Sequence, residues 1–262
     1  MKLIITGANG SAGSEVLRQA LLDSRVTAVT TLTRSPLPPY LLAPAPDTTP
    51  PKLTQIIHSD FSSYPPSLLE KLRGHDAAIW ALGTSSVGVE EAEYTKITYG
   101  YAMEAAKALS TLKEGRDGEG KFVFAYLSGA RTTQTPSEGS GFFSTPMWAR
   151  VKGRTELELA QLPHIQAYSF RPAFIVPLTL PPPEHRSRYN TPFFQTLGKF
   201  IGSFSSSGAV GADVLAKGML RACLEGSQAG GIPGWEGKGK EGNEGVFENE
   251  EIRRLGEGLA AK

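Results

Sequence analysis

The stretch Lys2-Leu3-Ile4-Ile5-Thr6-Gly7-Ala8-Asn9-Gly10-Ser11-Ala12-Gly13, followed by the pairs Val16/Ala20 and Leu17/Leu21 at helical spacing, decides how the chain reads. Lys2 to Thr6 is a short apolar run, and the later pairs put one apolar stripe on a helix, so the glycines fall in a strand–turn–helix unit. Glycine allows the tight turn at such a junction, lets the backbone approach a pyrophosphate closely, and lets the helix pack near the strand. The helix N-terminus adds unpaired N–H donors and the positive end of a dipole, so a phosphate-bearing ligand is the expected occupant. A glycine-rich turn without a ligand is the alternative.

Working outward, similar β-rich runs recur at Val26 to Thr33, Leu53 to Ser59, Ala77 to Leu82, Phe122 to Leu127 and Ala167 to Phe170. Their spacing predicts parallel strands joined by crossovers. They are near-continuously apolar rather than alternating, which burial on both faces demands, so helices must cover both sides. One such helix carries Tyr94, Ile97, Tyr101, Ala105 and Ala108. A second runs from Met147 to Leu162, with Thr145 as N-cap and Pro146 at the first helical position. A third, Val214 to Leu224, takes Asp213 as its N-cap. The expected fold is α/β, a Rossmann-like doubly wound parallel sheet in a single domain over 1–262. A small C-terminal substrate lobe is expected from 177–208 and the helices that follow.

Composition narrows the function classes. A length of 262 residues suits one large α/β domain. With 27 basic and 26 acidic side chains the net charge is +1, which gives no overall pull toward nucleic acid or an anionic membrane. Cys223 is the single cysteine and the four histidines are scattered, so neither a disulfide framework nor structural zinc is expected. Leu3 to Ile5 is too short for a signal peptide, and no apolar run approaches the roughly 20 residues of a membrane helix. The default expectation is a cytoplasmic protein. Pro36 to Pro51 holds seven prolines in sixteen residues and predicts an extended loop. Gly226 to Gly245 holds eight glycines in twenty and predicts a mobile surface excursion, while Glu114 to Gly120 reads as a plain loop.

The glycines are spaced Gly-x-x-Gly-x-x-Gly rather than G-x-G-x-x-G. Together with Ser128-Gly129-Ala130, a helix bearing Lys152 and Arg171-Pro172 after the sixth strand, TGANGSAG resembles the atypical, extended short-chain dehydrogenase/reductase superfamily. Within it the chain looks most like the NAD(P)H-binding, epimerase-like branch that includes oxidoreductases of the Tat-interacting-protein type. The resemblance covers residues 1 to about 225 and implies a nicotinamide dinucleotide held by Gly7, Asn9, Gly10, Ser11, Ala12 and Gly13. An acidic residue about 20 positions on would mark NAD by accepting ribose hydroxyls. None is present, and from Val26 to Ser35 the only charged side chain is Arg34, whose guanidinium suits a 2′-phosphate. NADP is therefore expected rather than NAD. The resemblance further places Asp60 near the adenine and Ala81, Leu82 and Gly83 along the cofactor channel. Asp60 as a turn cap and Gly83 as a plain turn residue are the alternatives.

In that superfamily the chemistry rests on a tyrosine, a lysine four residues later that lowers its pKa and holds the ribose, and a nearby serine. The matching residues here are Ser128, Trp148 and Lys152, so the lysine is in place and the tyrosine is replaced by tryptophan. An indole N–H donates a hydrogen bond but does not titrate, so it cannot be the general acid or base. Three readings follow. The chain is an NADPH-dependent oxidoreductase of a small carbonyl or alcohol substrate whose proton comes from water or another side chain, with Tyr94, Tyr99, Tyr101 and Tyr126 in segments expected near the site. Alternatively it binds NADPH as a non-catalytic sensor, or it serves as an interaction scaffold.

Pro172, Ala173, Phe174 and Ile175 match the family segment that closes over the nicotinamide. Beyond it, His185, Arg186, Arg188 and Tyr189 read either as a polar substrate contact or as an exposed loop. Phe193, Leu197, Phe200 and Phe204 have helical spacing and read as core. The expected partners are the nucleotide cofactor and a small-molecule substrate, in a monomer or a homodimer paired through the Tyr94 helix.

Overall fold

The computed structural model describes residues 1–42, 51–113, 120–135, 145–178, 182, 196, 208–226, 232 and 245–258. Seven strands form one sheet: β1 (Lys2–Thr6), β2 (Ala28–Thr33), β3 (Leu53–Ile57), β4 (Ala77–Trp80), β5 (Phe122–Leu127), β6 (Ile165–Arg171) and, as an edge, β9 (Val246–Glu248). Their order is β3-β2-β1-β4-β5-β6-β9 and every neighbouring pair is parallel. This is the doubly wound Rossmann-like sheet that the sequence predicts. A separate parallel pair joins β7 (Phe174–Val176) to β8 (Ala209–Gly211).

The strands are apolar throughout because alternate residues feed two cores. Leu3 and Ile5 of β1, Ile79 of β4 and Val123 and Ala125 of β5 enter one core. There they meet α1 (Ser11–Leu22), α7 (Ala212–Gly226) and α8 (Asn249–Gly256) through Val16, Leu17, Met219 and Ile252. Ile4, Ala78, Trp80, Phe122 and Phe124 enter the other core. That face is covered by α3 (Pro66–Leu72), α5 (Tyr101–Ser110) and α6 (Met147–Gln161), with Trp80 stacked on Phe124 at 5.9 Å between ring centroids. Burial of each such side chain contributes about 1.5–3 kcal/mol.

The order reverses between β1 and β4, and a crevice opens beyond the carboxyl ends of these two strands, where ligands bind in open α/β sheets.

Several boundaries differ from the sequence reading. β2 begins at Ala28 because Val26 is still in a turn, its N–H bonded to Asp23 O, and β4 ends at Trp80. Residues 81–82 instead run along the crevice. β3 stops at Ile57, short of Ser59, and β6 starts two residues early, at Ile165. Within the proline-rich loop, Pro39–Leu42 makes one turn of helix (α2), seated by burial of Leu37 and Leu41 against the first core. The Tyr94 helix is α4 (Glu91–Thr95), a π turn at Lys96–Gly100, and then α5.

Pro146, not Thr145, is the N-cap of α6. Its carbonyl accepts the Ala149 and Arg150 N–H groups while its own backbone stays extended. Asp213 lies inside the first turn of α7 and faces Lys217 at 3.6 Å.

The C-terminal helices α7 and α8, expected in a substrate lobe, pack on the sheet beside α1. The clusters His185–Tyr189 and Phe193–Phe204 lie outside the described residues, apart from position 196. So do most of the two loops at 114–120 and 226–245, though Ile232 is buried in the first core. No helix among the described residues is long and apolar enough to cross a membrane. None of their His, Cys, Asp and Glu side chains form a group of three able to hold a metal.

Candidate functional site

The glycine loop links β1 to α1, and its spacing has a steric cause. Gly7 has φ +69°, and a Cβ there would stand 2.3 Å from Ala81 O, so only glycine lets the loop lie against the end of β4. A Cβ on Gly13 would stand 2.1 Å from Gly7 O, so α1 sits directly on the turn. Gly10 N–H donates to Gly7 O at 2.8 Å, closing the turn, and Gly10 O accepts from Ser14 N–H at 2.9 Å as the helix starts. No side chain caps α1 and no acidic residue stands in its first turn. The first N–H groups of the 12-residue helix are therefore left for a ligand anion.

Two cavities meet over this loop and share Gly10, Ala81, Leu82 and Gly83 in their walls, so they form one groove. The first, about 300 Å³, is bounded by Gly7, Asn9, Leu32, Thr33, Arg34, Ser35 and Phe61. Arg34 is exposed at the end of β2, and Asn9 Nδ2 donates to Ser35 Oγ at 3.4 Å beside it. The second, about 310 Å³, continues past Ser11, Ala12 and Gly13 to Thr84, Ser85, Thr98, Tyr126, Leu127, Ser128, Lys152 and Ile175.

At that far end Lys152 is fixed by its backbone surroundings. Its Nζ donates to Ser128 O at 2.8 Å and lies 3.4 Å from Leu127 O. α6 is seated so tightly that a Cβ on Gly153 would overlap Thr133 O. Burial pushes the Lys152 ammonium down to about 8, against a smaller opposing pull from Glu156 one turn along. Glu156 is fully buried and held by Arg171, whose Nη1 also donates to Glu248 Oε1 at 2.8 Å. Arg171 thus ties α6 to β6 and to the N-cap of α8.

Of the expected site residues, the structure brings Gly7, Asn9, Gly10, Ser11, Ala12, Gly13, Arg34, Ala81, Leu82, Gly83, Ser128, Lys152 and Ile175 onto the groove. Ser128 is buried, with its Oγ 3.3 Å from Thr132 Oγ1. Trp148 is half-buried behind the wall, where its ring edge and Lys152 Nζ flank Gly129.

Asp60 does not line the groove. It is exposed, accepts the Ser62 N–H at 3.0 Å and its hydroxyl, and is held below the usual carboxylate range by these bonds, as a turn cap is. Phe61 takes the wall position instead. Pro172, Ala173 and Phe174 stand beside the groove rather than in it. Pro172 O accepts from Ala130 N–H at 2.8 Å, Ala173 N–H donates to Asn249 Oδ1 at 2.9 Å, and Phe174 begins β7.

Among the four tyrosines considered, Tyr126 alone lines the groove. Tyr99 donates to Glu158 at 2.6 Å under the Arg154 guanidinium, Tyr101 packs near Phe61, and Tyr94 is buried. Sequence reading missed Leu32, Thr33, Ser35, Phe61, Thr84, Ser85, Thr98 and Leu127. Thr98 reaches the wall from the π turn, a local widening with no simple sequence signature and one frequent at functional sites. Its Oγ1 and the Tyr126 Oη are buried without a partner at hydrogen-bonding geometry, beside the hydroxyls of Tyr94 and Thr155 respectively.

No protein-family model matches the chain. A curated relative, "Leucinostatins biosynthesis cluster protein T" of Purpureocillium lilacinum, is 29% identical over 164 residues, 63% of this chain. The chain spans about half the length of that relative, 53%.

Among solved structures, the dTDP-glucose 4,6-dehydratase DesIV of Streptomyces venezuelae, with NAD and TYD bound, matches 86% of this chain and 73% of its own. Its TM-score is 0.58 at 17% identity. A UDP-glucuronic acid 4-epimerase of Bacillus cereus in complex with NAD matches 85% and 72%, with TM-score 0.55 and 18% identity. A short-chain dehydrogenase/reductase family oxidoreductase of Burkholderia thailandensis matches 85% and 84%, with TM-score 0.56 and 14% identity. The chain therefore carries the Rossmann-like α/β fold that these dehydratase, epimerase and oxidoreductase structures share, the fold implied by its resemblance to the extended short-chain dehydrogenase/reductases.

Proposed function

We propose that the chain is an NADP(H)-dependent oxidoreductase acting on a small carbonyl or alcohol substrate. The observation that carries this reading is the single groove running from Arg34, over the capless N-terminus of α1, to Ser128 and Lys152. A dinucleotide fits it by chemistry: an aromatic wall at Phe61, helix N–H donors at the loop, and hydroxyls with a lysine at the far end. Arg34 and Ser35, with no carboxylate among the described residues of the groove's walls at that end, favour a 2′-phosphate over a bare ribose.

When bound, a reduced nicotinamide supplies the hydride that reduces a carbonyl carbon. Gly10 to Gly13 hold the pyrophosphate, Lys152 stands at the far end, fixed by its bonds to the 127–128 backbone, and Ser128 presents its hydroxyl to the substrate. Trp148 favours a second reading, that the cofactor binds without turnover, because an indole has no proton to give at neutral pH.

Arg34→Ala tests the first part. It is expected to weaken NADPH binding about tenfold or more and NADH binding little, since a charge-assisted contact to phosphate is lost. Equal loss for both cofactors removes Arg34 from the assignment. Oxidation of bound NADPH on adding carbonyl compounds separates a reductase from a silent binder.

A further inference from the structure

The tryptophan at position 148 leaves the substrate end of the groove without the usual proton donor, and the wall itself says what replaces it. Among the described residues lining that cavity only Lys152 and Tyr126 carry a titratable group. Tyr126 is 2% exposed, its hydroxyl has only the neutral Thr155 hydroxyl beside it, and burial outweighs that neighbour and drives its pKa upward. Giving up its proton would strand a tyrosinate in an apolar wall. Lys152 is the opposite case. Donating a proton removes a charge from a desolvated place, which is the direction in which burial pushes it.

The geometry favours the same group. Two backbone carbonyls, Ser128 O and Leu127 O, fix the ammonium, and three N–H bonds leave one proton for the cavity. Among the described residues, Glu156 on its own helix is the charged group that acts on it; Arg150 of that helix pairs with Glu91 and Arg154 with Glu158, Arg171 on β6 is committed to Glu156, Tyr126 is on β5, and Tyr94 is on α4.

We propose that Lys152 Nζ is the catalytic proton donor to the substrate oxygen, taking the part that a tyrosine plays in enzymes resembling this one. The inference rests on the reductase reading. The hydride that a bound NADPH would supply forms a C–H bond at the carbonyl carbon as the nicotinamide C–H bond breaks and NADPH is oxidised to NADP+; the C=O π pair moves to oxygen, an O–H bond forms and an N–H bond of Lys152 breaks. The carbonyl gains two electrons with the hydride, and the neutral amine left behind regains its proton from solvent. The Ser128 hydroxyl is the donor at hand to hold the oxygen meanwhile.

Three readouts on the full chain test this. The first needs no substrate: in lysine labelled with nitrogen-15, the Lys152 signal, assigned by its loss in Lys152→Arg, should titrate near pH 8. A midpoint at the ordinary lysine value near 10.4 overturns the proposal. The second uses NADPH with nitrobenzaldehyde as probe. Lys152→Met should lower kcat by roughly 100-fold or more while the Kd for NADPH changes less than about fivefold. The third is rescue of Lys152→Met by added ethylamine, with a rate that follows the protonated amine.

If Lys152→Met loses NADPH affinity and turnover in the same proportion, and ethylamine restores nothing, Lys152 is only a cofactor anchor and the proposal falls. If the unmodified chain fails to bind NADPH at all, the functional reading falls first, and the proposal with it. Those two failures are told apart by the binding titration of the unmodified chain.

Discussion

Replacing Gly7 and Gly10 by alanine, one at a time, separates what the loop does for the fold from what it does for a ligand. At Gly7 the backbone has φ +69° and the new Cβ would lie 2.3 Å from Ala81 O. Relief requires about 1 Å of movement between β1's turn and the end of β4, where Leu3 to Thr6 and Ala77 to Trp80 are all buried. Strain from the left-handed backbone adds roughly 1–2 kcal/mol to an overpacking term of about 1–3 kcal/mol. For a domain of this size each kcal/mol lowers Tm by roughly 2–4 °C, so Gly7→Ala should melt about 10 °C below the unmodified chain.

Gly10 differs. Its φ of −86° and ψ of 168° suit any residue. Its Cβ would meet only Gly7 O, at 3.2 Å, a contact relieved by a few tenths of an ångström. A loss of about 1 kcal/mol or less is expected, yet the methyl stands on the groove wall at the start of α1 and should raise the NADPH Kd at least about tenfold. Calorimetric melting and a fluorescence titration of each variant give both numbers. Gly10→Ala melting as low as Gly7→Ala, or binding NADPH as well as the unmodified chain, would refute the division of roles.

Three further outcomes follow from other parts of the molecule. Glu156→Gln leaves the buried Arg171 with only the half-exposed Glu248 as a charged partner, and should cost about 3 kcal/mol, with partial recovery in the Glu156→Met, Arg171→Met double variant; thermal melts that show no loss for the single change contradict a buried pair. His75 is buried as the neutral ring, its Nδ1 bonded to Leu72 O at 2.8 Å and its Nε2 to Thr30 Oγ1 at 2.9 Å, and burial lowers its pKa below the ordinary value. The unfolded chain then binds the extra proton first, so stability should fall as pH drops below about 6.5, with His58 adding in the same sense, and urea midpoints should show a shallower fall in His75→Gln. Trp148→Tyr places a titratable hydroxyl beside Gly129 and Lys152 and should raise turnover of a carbonyl probe, whereas unchanged turnover counts against a lost proton donor.

How much of this was legible in the sequence depends on how local each cause is. The glycine loop could be read because its requirements, a turn against β4 and a helix seated on the turn, act within the quoted segment and one neighbouring strand. The strands could be read because alternate residues such as Leu3 and Ile4 serve two different cores, leaving no polar face.

β9 could not. It is three residues long, lies just past a glycine-rich stretch, and exists only because Val246 to Glu248 pair with Ser169 to Arg171. A signal was present, since Glu248 and Glu251 form a capping box at the start of α8. Thr98 faces the groove because of a π turn, and Arg171 meets Glu156 across 15 residues, neither of which periodicity reveals. Asp60 shows the reverse error, in which a family position holds the residue type but Ser62 claims its carboxylate locally.

The claim on which the rest depends is that the groove from Arg34 to Lys152 holds NADP(H). Isothermal titration of the unmodified chain with NADPH and, separately, with NADH tests it most directly. Saturable one-to-one binding of NADPH, at least about tenfold tighter than NADH, is the predicted result. Heat from neither cofactor, or equal affinity for the two, would contradict it.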